Sequence, residues 1–290
     1  MMSIEQSQRK RNELQPQSTW ASSKLDRSPS SDLLAAPVQT SAQSTPVANL
    51  SESFESLSKR LGGSIGLAYA PVGLKQPVKS FGDLRGGVAW STMKIPVAIA
   101  TVNEANAHPN QDSLQRLMRL AITESDNAAA VELWSQLGSP STAAARTQAV
   151  LRQGGDMTTL VPSVPFRSEY TSFGQSNWSL AAQATFAASL PCLANAGPVL
   201  ELMCQVASTQ RWGIGILNTT DAFKGGWGPE ENGAYLVRQM AVVRLTDGSR
   251  IGLSLASRPA GGRLEAGIAD LNAIALWLAR NIRADGEDRC

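Results

Sequence analysis

The chain has 290 residues, of which 42% are hydrophobic and 17% are charged, so most of it is expected to fold around a sizeable core. Its 26 basic and 24 acidic residues leave a net charge of +2, which gives no electrostatic reason to expect a nucleic-acid partner or an anionic membrane surface. No apolar run approaches the roughly 20 residues of a membrane-spanning helix, and no secretory leader is visible at the start of the chain.

Cysteine and histidine are too sparse for a metal site. The three cysteines, Cys192, Cys204 and Cys290, form no Cys-x-x-Cys pair, and His108 is the only histidine, so neither a metal nor a cofactor is expected. The surroundings of His108 are typical of a turn between helices, which disfavours it as a catalytic base. Cys192 and Cys204 are near enough in sequence to form a disulfide in an oxidising compartment. Two buried thiols are the alternative, and Cys290 is expected to be exposed.

The first part of the chain predicts a leader, a helix and two strands. Residues 1–49 are rich in serine, glutamine and proline, which is typical of a disordered leader or linker. Apolar residues at helical spacing predict a helix over 51–60, which ends at a glycine pair. Residues 64–70 and 77–81 predict two strands with a turn between them.

The middle of the chain predicts mostly helices. An apolar helix follows Ser91, and Pro96 is tolerated in it because the proline falls near the first turn. The other helices of this part are predicted over 112–137 (in two segments), 141–153, 179–190 and 198–206, with a long irregular loop over 159–178.

In the last third of the chain, the hydrophobic spacing changes from that of helices to that of strands. Its predicted elements are a strand over 213–217 and 222–224, a hairpin of 235–245 and 250–257, a helix over 264–282, and a polar tail over 284–290. Strands from both chain ends around a helical block predict an α+β (α/β sandwich) fold. Its antiparallel sheet would come from 64–81 and 213–257, with flanking helices and a helical subdomain inserted over about 97–206, in one domain spanning 50–283.

The pattern Ser91-x-x-Lys94 suggests acyl-transfer chemistry. Residues three apart share a helix face, so the Lys94 amine is expected within hydrogen-bond reach of Ser91 Oγ, where a neutral amine can take the serine proton. A serine that only caps a buried helix is the alternative, and Ser7 to Lys10 matches the same pattern. Two further motifs follow in chain order, Ser125-Asp126-Asn127 and Lys224-Gly225-Gly226; the first of them also fits an ordinary helix N-cap.

The three motifs in this order resemble those of the penicillin-recognising serine enzymes, most closely the class A β-lactamases. The similarity extends to the segments around the second motif, 120–123, 128–130 and 137–140, and to 235–238, so that it covers roughly 51–283. The resemblance implies a β-lactamase/transpeptidase-like fold.

The resemblance also implies roles for individual residues. The catalytic group would be Ser91 as nucleophile, Lys94 as base, Ser125 as proton relay, and Lys224 as the cation that polarises Ser125. The oxyanion would bind the backbone N–H groups of Ser91 and Trp227, and the substrate would be held by Asn127, Gly225, Gly226 and Arg238, with Arg238 and Lys224 attracting a carboxylate. Two neighbouring cations are expected to depress the pKa of Lys94.

Three departures from that family predict weak or absent β-lactam turnover. Only 34 positions separate Ser91 from Ser125, which removes one wall of the family's cleft. Gly225 stands where the family has a hydroxyl-bearing residue. The loop that carries the family's deacylating glutamate has Glu169 as its only acid over 167–174. Glu169 is a possible deacylation base, although a salt bridge with Arg167 or another arginine is the favoured interpretation.

Two functions remain from the sequence. The first is a serine acyl-transfer hydrolase acting on a β-lactam, a peptidoglycan-type peptide or an ester, working as a monomer. The second is a non-catalytic binding or interaction protein on the same fold. The resemblance implies an extracytoplasmic location, whereas the visible sequence shows no export signal, so the location stays open.

Overall fold

A five-stranded antiparallel sheet is formed by strands from both ends of the chain. The computed structural model describes residues 47–73, 75–104, 111–217, 221–283 and 290. The strands of this sheet are β1 (Ser64–Pro71), β2 (Lys79–Gly82), β5 (Ala222–Pro229), β6 (Tyr235–Arg244) and β7 (Arg250–Arg258). Their order is β2-β1-β7-β6-β5, so β5 lies at one edge. A separate two-stranded sheet pairs β3 (Gly86–Val88) with β4 (Asn177–Ser179).

Helices cover both faces of the sheet. They are α1 (Val47–Leu61), α2 (Lys94–Asn103), α3 (Gln111–Thr123), α4 (Asn127–Gln136), α5 (Pro140–Gln153), α6 (Leu180–Ser189), α7 (Gly197–Met203) and α8 (Leu264–Asn281). Helices α1 and α8 pack on one face, where Phe54 meets Trp277 edge to face at 4.9 Å. The helices between β3 and β5 form a second core on the other side. Among the described residues, no single helix is long and apolar enough to cross a membrane.

The sequence predicted this architecture because its hydrophobic periodicity changes where strands are followed by helices and where helices are followed by strands. Successive residues of β1 enter different cores: Leu67 lies in the cluster under α1 and α8, and Ala68 lies in the cluster against α6. The predicted hairpin between β6 and β7 closes through a hydrogen bond from Leu245 N to Ser249 O (2.8 Å), with Gly248 at φ +89°. The α+β fold class, with its antiparallel sheet and inserted helical part, is therefore confirmed.

The strand predicted over 213–217 is wrong. Gly213–Ile216 forms a 3-10 turn, and the strand starts only at Ala222. Side chains take the hydrogen bonds that a sheet partner would otherwise supply: Gly213 N donates to Asn272 Oδ1 (2.6 Å), and Ile214 N donates to Gln239 Oε1 (2.8 Å). Period-two patterning could not reveal these competing acceptors, because both lie far along the chain.

Both expectations for Cys192 and Cys204 are wrong as well. Cys192 forms a disulfide with Cys290 (Cα–Cα 5.0 Å), and Cys204 lies exposed outside it. The chain end returns to the turn that follows α6, which short separation in sequence does not reveal. Helix α1 begins at Val47, and the rest of the predicted leader, the turn around His108 and residues 284–289 of the tail lie outside the described residues.

Candidate functional site

Ser91 lies in a 3-10 turn, Trp90–Met93, that leads directly into α2. Trp90 has φ +49°, a conformation that non-glycine residues adopt only when their surroundings enforce it. The turn is fixed by Thr92, whose Oγ1 donates to Ala89 O (2.6 Å) and accepts from Gln183 Nε2 (2.9 Å). Ser91 itself is half-buried, whereas Trp90, Thr92 and Met93 of the same turn are buried.

Edge strand β5 lies directly against this turn. A Cβ atom placed on Gly226 would lie 2.9 Å from Ser91 N and 3.0 Å from Thr92 N, closer than side-chain carbons approach. A Cβ on Gly228 would lie 2.6 Å from the indole of Trp90. The two glycines therefore allow the strand backbone to approach the turn, and the Ser91 N–H lies beside β5.

Lys94 and Lys224 converge on the second motif. Lys94 Nζ donates to Ser125 O (2.6 Å) and to Asn127 Oδ1 (2.8 Å), and it lies 3.4 Å from Ser125 Oγ. Lys224 Nζ donates to Ser125 Oγ (2.8 Å) and to Gly225 O (3.1 Å). Both lysines are almost completely buried, whereas Ser125 is half-buried. One hydroxyl thus accepts from two buried amines, which leaves its own proton free to be donated elsewhere.

The helix-capping interpretation of the second motif also holds. Asp126 caps α4 by accepting a hydrogen bond from Ala129 N (2.7 Å). Ser125 precedes it with φ +57°, which lets the chain turn so that Ser125 and Asn127 face Lys94 on either side of the cap. The helix-capping role therefore belongs to Asp126, whereas the contacts with Lys94 belong to its neighbours Ser125 and Asn127.

Burial perturbs both amines. It lowers the pKa of Lys94 to about 7, against an opposing effect of the Asp126 carboxylate. It lowers the pKa of Lys224 well below the usual lysine value, and the nearby Lys94 charge lowers it further. The sequence suggested that repulsion between cations would depress the pKa of Lys94, but the lowering comes from desolvation by burial. A substantial fraction of Lys94 is therefore uncharged near neutral pH.

Ser91 and Lys94 are not hydrogen bonded to each other. Within the part of the chain that the structure describes, no side-chain hydrogen bond is formed by Ser91 Oγ. The amine of Lys94 is instead held by oxygens of Ser125 and Asn127. Proton transfer from Ser91 would thus require Ser91 Oγ and Lys94 Nζ to move closer together, so that the hydroxyl donates to the lone pair of the neutral amine.

Arg238 lies on the same face of the sheet as Lys224 but is completely buried. Its guanidinium donates to Gly87 O (2.8 Å), Trp178 O (3.1 Å) and Gln183 Oε1 (2.7 Å). Burial lowers the pKa of Arg238 to about 9, with a smaller effect from the Arg258 charge. In this structure Arg238 fastens β3 and β4 to the sheet and is not accessible to a substrate carboxylate.

The side-chain position of Gly225 is filled by a tryptophan. A Cβ atom on Gly225 would lie 2.7 Å from Cη2 and 2.8 Å from Cζ2 of Trp212. Trp212 in turn packs edge to face against Trp227, with ring centroids 5.9 Å apart. Trp212 is buried, whereas Trp227 is half-buried. Gly225 is thus the residue that leaves room for this indole pair.

Glu169 forms the salt bridge that the sequence favoured. Its carboxylate accepts from Arg167 Nε (3.2 Å), and 56% of its side chain is exposed. Arg167 also donates to Pro229 O (2.7 Å), which joins this loop to the end of β5. A cavity of about 520 Å³ lies between this loop, Trp90 and the turn that follows β5. Glu169 is thus engaged with Arg167 at the exposed side of the loop.

Sequence reasoning missed the residues that shape the site from outside the motifs. Trp90, Trp212 and Gln175 lie in irregular segments, where periodicity carries no information. Gln175 holds the loop by accepting from Arg167 N (2.8 Å) and donating to Arg167 O (3.0 Å). The available signal was the glycine content of β5, since glycines inside a strand often mark a close approach of other groups.

The chain was compared with known proteins. No protein-family model and no curated protein sequence matches it. Solved structures do match, among them a β-lactamase from Chitinophaga pinensis, with a TM-score of 0.64 and 13% identity over 80% of this chain and 98% of that one. A class A β-lactamase from Mycobacterium abscessus matches with a TM-score of 0.63 and 15% identity over 80% of this chain and 98% of that one. A β-lactamase from Burkholderia vietnamiensis matches with a TM-score of 0.62 and 15% identity over 80% of this chain and 95% of that one.

These matches cover nearly the whole length of each β-lactamase. The chain therefore has the β-lactamase fold. Identities of 13–15% show the fold alone, so the chemistry of the site has to be argued from its own residues.

Proposed function

We propose that the protein is a serine acyl-transfer hydrolase in which Ser91 is the nucleophile and Lys94 the base. The observation that carries the proposal is the pair of buried amines, Lys94 and Lys224, both directed at Ser125 beside the Ser91 turn. Buried lysines without a carboxylate partner are unfavourable for folding, so their presence around one half-buried hydroxyl favours a chemical role.

The reaction begins when the neutral Lys94 amine takes the proton of Ser91 as Ser91 Oγ attacks the substrate carbonyl. The bond from the carbonyl carbon to the leaving group then breaks. The leaving atom takes a proton from Ser125 Oγ, which is replenished by the Lys94 ammonium. Water then attacks the acyl-Ser91 ester, releases the carboxylic acid and restores the Ser91 hydroxyl.

Backbone N–H groups of Ser91 and Trp227 would bind the oxyanion. The close approach that Gly226 permits between β5 and Ser91 N supports this assignment. Asn127 accepts from Lys94 through Oδ1, so its amide N–H₂ can donate to a substrate carbonyl. Gly225 and Gly226 would contribute backbone contacts along the same strand.

The substrate classes under this proposal are a β-lactam, a peptidoglycan-type peptide and an ester. The neighbours named above are β-lactamases, which supports the first class by analogy of fold only. The Glu169 carboxylate is paired with Arg167 and is more than half exposed, which supports slow turnover of any penicilloyl adduct.

Covalent labelling tests the proposal. The protein is incubated with a fluorophosphonate and, separately, with a fluorescent penicillin, and the adduct is located by intact mass and peptide mapping. We expect a single adduct at Ser91. It should be absent in Ser91→Ala and retained in the exposed control Ser56→Ala. Absence of any Ser91 adduct with both reagents would overturn the proposal.

A non-catalytic binding protein on the same fold is the second candidate. The missing hydrogen bond between Ser91 and Lys94 and the burial of Arg238 favour it. It predicts that Ser91→Ala binds ligands as tightly as the wild type and that no reagent modifies Ser91 faster than it modifies Ser56.

A further inference from the structure

We infer that the loop over 157–166, called here the apolar loop, binds the surface of a phospholipid bilayer together with a basic cavity beside it. The apolar side chains of the loop enter the acyl region of the bilayer, and the cavity holds the phosphate of one lipid headgroup. Binding of this kind goes beyond the proposed function and does not depend on the chemistry at Ser91.

The apolar loop presents its large side chains to solvent. Among the large apolar residues that the structure describes, the four most exposed all lie in this loop, between 69% and 80% exposed: Met157, Leu160, Val164 and Phe166. The ten residues of the loop include no charged residue. Single exposed apolar side chains are ordinary on a protein surface, whereas a contiguous group of them marks a contact with another molecule or with a membrane.

Hydrogen bonds fix the backbone of the apolar loop. Asp156 Oδ1 accepts from Thr159 N (3.0 Å), and Arg152 Nη2 donates to Thr159 O (2.7 Å). Further along, Val161 N donates to Gln148 Oε1 (3.2 Å). Because this backbone is already ordered, the loop loses little conformational entropy when its side chains enter a second phase.

The basic cavity, of about 470 Å³, lies beside the start of the apolar loop. Its polar lining residues are Arg85, Thr158, Thr159, Asn177, Ser179 and Arg258, and no carboxylate belongs to its lining. Arg85 is exposed, and its guanidinium has no hydrogen bond or ion pair within the part of the chain that the structure describes. Guanidinium groups bind phosphate oxygens through charge-assisted hydrogen bonds, so the cavity is complementary to a headgroup phosphate.

The basic cavity and the cavity beside Trp90 lie at opposite ends of the apolar loop. Thr159 lines the first cavity, and Phe166 lines the second. The two cavities are joined by the ion pair of Arg258, which lines the first, with Glu230, which lines the second (2.8 Å). Polar groups thus flank a protruding apolar segment, which is the arrangement of a segment that lies in a membrane interface.

The charges around the apolar loop favour a phospholipid over a charged protein surface. Arg167 is paired with Glu169 at 3.2 Å, and Arg258 is paired with Glu230 at 2.8 Å. The exposed carboxylate of Glu231 offsets the unpaired arginine of the basic cavity. This surface therefore has little net charge with which to attract a strongly acidic or basic partner.

The size of the apolar loop disfavours a second copy of the chain as its occupant. Ten residues are fewer than the roughly 20–30 that each side of a stable protein interface contributes. A bilayer needs no matching side chains, because it supplies an acyl phase and phosphates over its whole surface.

Vesicle flotation tests the inference with the full chain. The protein is mixed with phosphatidylcholine vesicles, with and without phosphatidylglycerol, and the floating fraction is measured against lipid concentration. We expect binding to the neutral vesicles, and we expect it to persist at about 0.5 M NaCl because salt screens charges and not apolar contacts.

Variants assign the contact to the loop. The double variant Leu160→Gln with Phe166→Gln should bind the vesicles at least about tenfold more weakly. Its matched control is Val131→Gln with Leu276→Gln, which removes apolar side chains that are 45% and 43% exposed on α4 and α8 and should bind as the wild type does. All four side chains are exposed, so both proteins should fold, and circular dichroism checks this.

Arg85→Gln tests the basic cavity. It should weaken vesicle binding by about threefold or more, whereas Arg280→Gln, at an exposed position in the last turn of α8, should not. Equal binding by Arg85→Gln and the wild type would overturn the role assigned to the cavity. A rise in Tm with inorganic phosphate that Arg85→Gln abolishes, in a protein that no vesicle binds, would show a free-anion site and overturn the lipid inference.

The remaining outcomes decide the apolar contact. Absence of binding to all vesicles, or equal binding by the double variant and its control, would overturn it. Binding only to phosphatidylglycerol vesicles that disappears at about 0.5 M NaCl would do the same, because it would be purely electrostatic. A dimer seen by light scattering that the double variant abolishes, without vesicle binding, would assign the loop to a second copy. None of these measurements requires acylation of Ser91, so failure of the proposed function would leave them unchanged.

Discussion

Lys224 donates a hydrogen bond to Ser125 Oγ over 2.8 Å, although 99 residues separate the two along the chain. In Ser125→Ala, Gly225 O would be the remaining hydrogen-bond acceptor for Lys224 among the described residues, so a buried amine would lose its main acceptor. We expect the free energy of unfolding to fall by about 1–3 kcal/mol, and acylation of Ser91 to slow by about 10²–10⁴-fold. Urea unfolding and fluorophosphonate labelling measure the two effects.

Ser135→Ala is the matched control for this variant. Ser135 Oγ makes an exposed bond to Val131 O within α4, so its removal should change neither quantity by more than a small amount. If Ser125→Ala keeps the wild-type free energy of unfolding and the wild-type rate of Ser91 acylation, the hydrogen bonds from the two lysines to this hydroxyl contribute to neither.

The rate of Ser91 acylation should rise with pH, with a midpoint near 7. The neutral form of Lys94 is the base, and burial lowers the pKa of Lys94 to about 7. An ordinary lysine, with a pKa of about 10.4, would leave the base almost entirely protonated at that pH. Labelling rates between pH 5.5 and 9 measure the midpoint. A rate that stays flat or falls from pH 6 to 8 would contradict Lys94 as base, and Lys94→Arg should abolish the rise.

Stability should change with pH in the same direction. The unfolded chain keeps Lys94 and Lys224 protonated up to about pH 10.4, whereas the folded chain releases both protons earlier because both pKa values are lowered. The unfolded state therefore binds more protons between about pH 7 and 10, and the free energy of unfolding rises with pH over that window. Replacing both lysines with methionine should remove this part of the slope in urea titrations.

Gly226→Ala should distort the Ser91 turn. The new Cβ would lie 2.9 Å from Ser91 N and 3.0 Å from Ala89 O, both backbone atoms that cannot rotate away. We expect acylation to slow by at least about tenfold, because displacement of a nucleophile by a fraction of an ångström is costly to reaction geometry. Gly197→Ala is the control, since a Cβ there meets nothing within 4 Å. Equal rates in the two variants would show that β5 does not constrain the turn.

The motifs could be located from the sequence because each is a local pattern of polar residues. Asp126 fits a helix N-cap, and the resemblance of the three motifs to those of the penicillin-recognising serine enzymes implies one site for Ser91, Ser125 and Lys224, although the chain separates them widely. The sequence patterns could not specify which oxygen atom accepts the hydrogen bond of each lysine amine. Lys94 is held by Ser125 and Asn127 because of a turn at positive φ, and such backbone conformations leave no periodic signature.

The position of Arg238 shows a second limit. A strand pattern assigns Arg238 to a face of the sheet, and it does share that face with Lys224. Whether that face is open depends on β3 and β4, which are three residues long and come from distant parts of the chain. Their pairing covers Arg238 with backbone carbonyls, and strands this short carry too little pattern to be predicted.

Loss of the Cys192–Cys290 disulfide should destabilise the protein. The bond closes a loop of 98 residues, for which the chain-entropy estimate is roughly 4–5 kcal/mol. We expect Cys290→Ser to lower the Tm by about 10 °C, and a reducing agent to do the same to the wild type but not to the variant. Cys204→Ser, outside the disulfide, should leave the response of the Tm to reductant unchanged. Identical Tm values with and without reductant would argue against the bond in solution.

Hydrolysis of β-lactams should be slow or undetectable, and this expectation depends on Glu169. Deacylation needs a base that holds water against the acyl-Ser91 ester, and loss of such a base typically costs about 10²–10⁴-fold in rate, or roughly 3–5 kcal/mol of barrier. The Glu169 carboxylate accepts a hydrogen bond from Arg167 Nε at 3.2 Å and is more than half exposed. It therefore forms an ion pair at the surface of the loop.

Steady-state nitrocefin hydrolysis tests this expectation, with either a long-lived acyl-enzyme or no acylation as the expected result. Glu169→Gln should leave any residual turnover within about twofold of wild type, as should the control Glu231→Gln at another exposed site, because a surface ion pair contributes little. Turnover at tens per second or faster would show that the loop can deliver a base. Loss of that turnover in Glu169→Gln alone would identify Glu169 as the group, released from Arg167 when the acyl-enzyme forms.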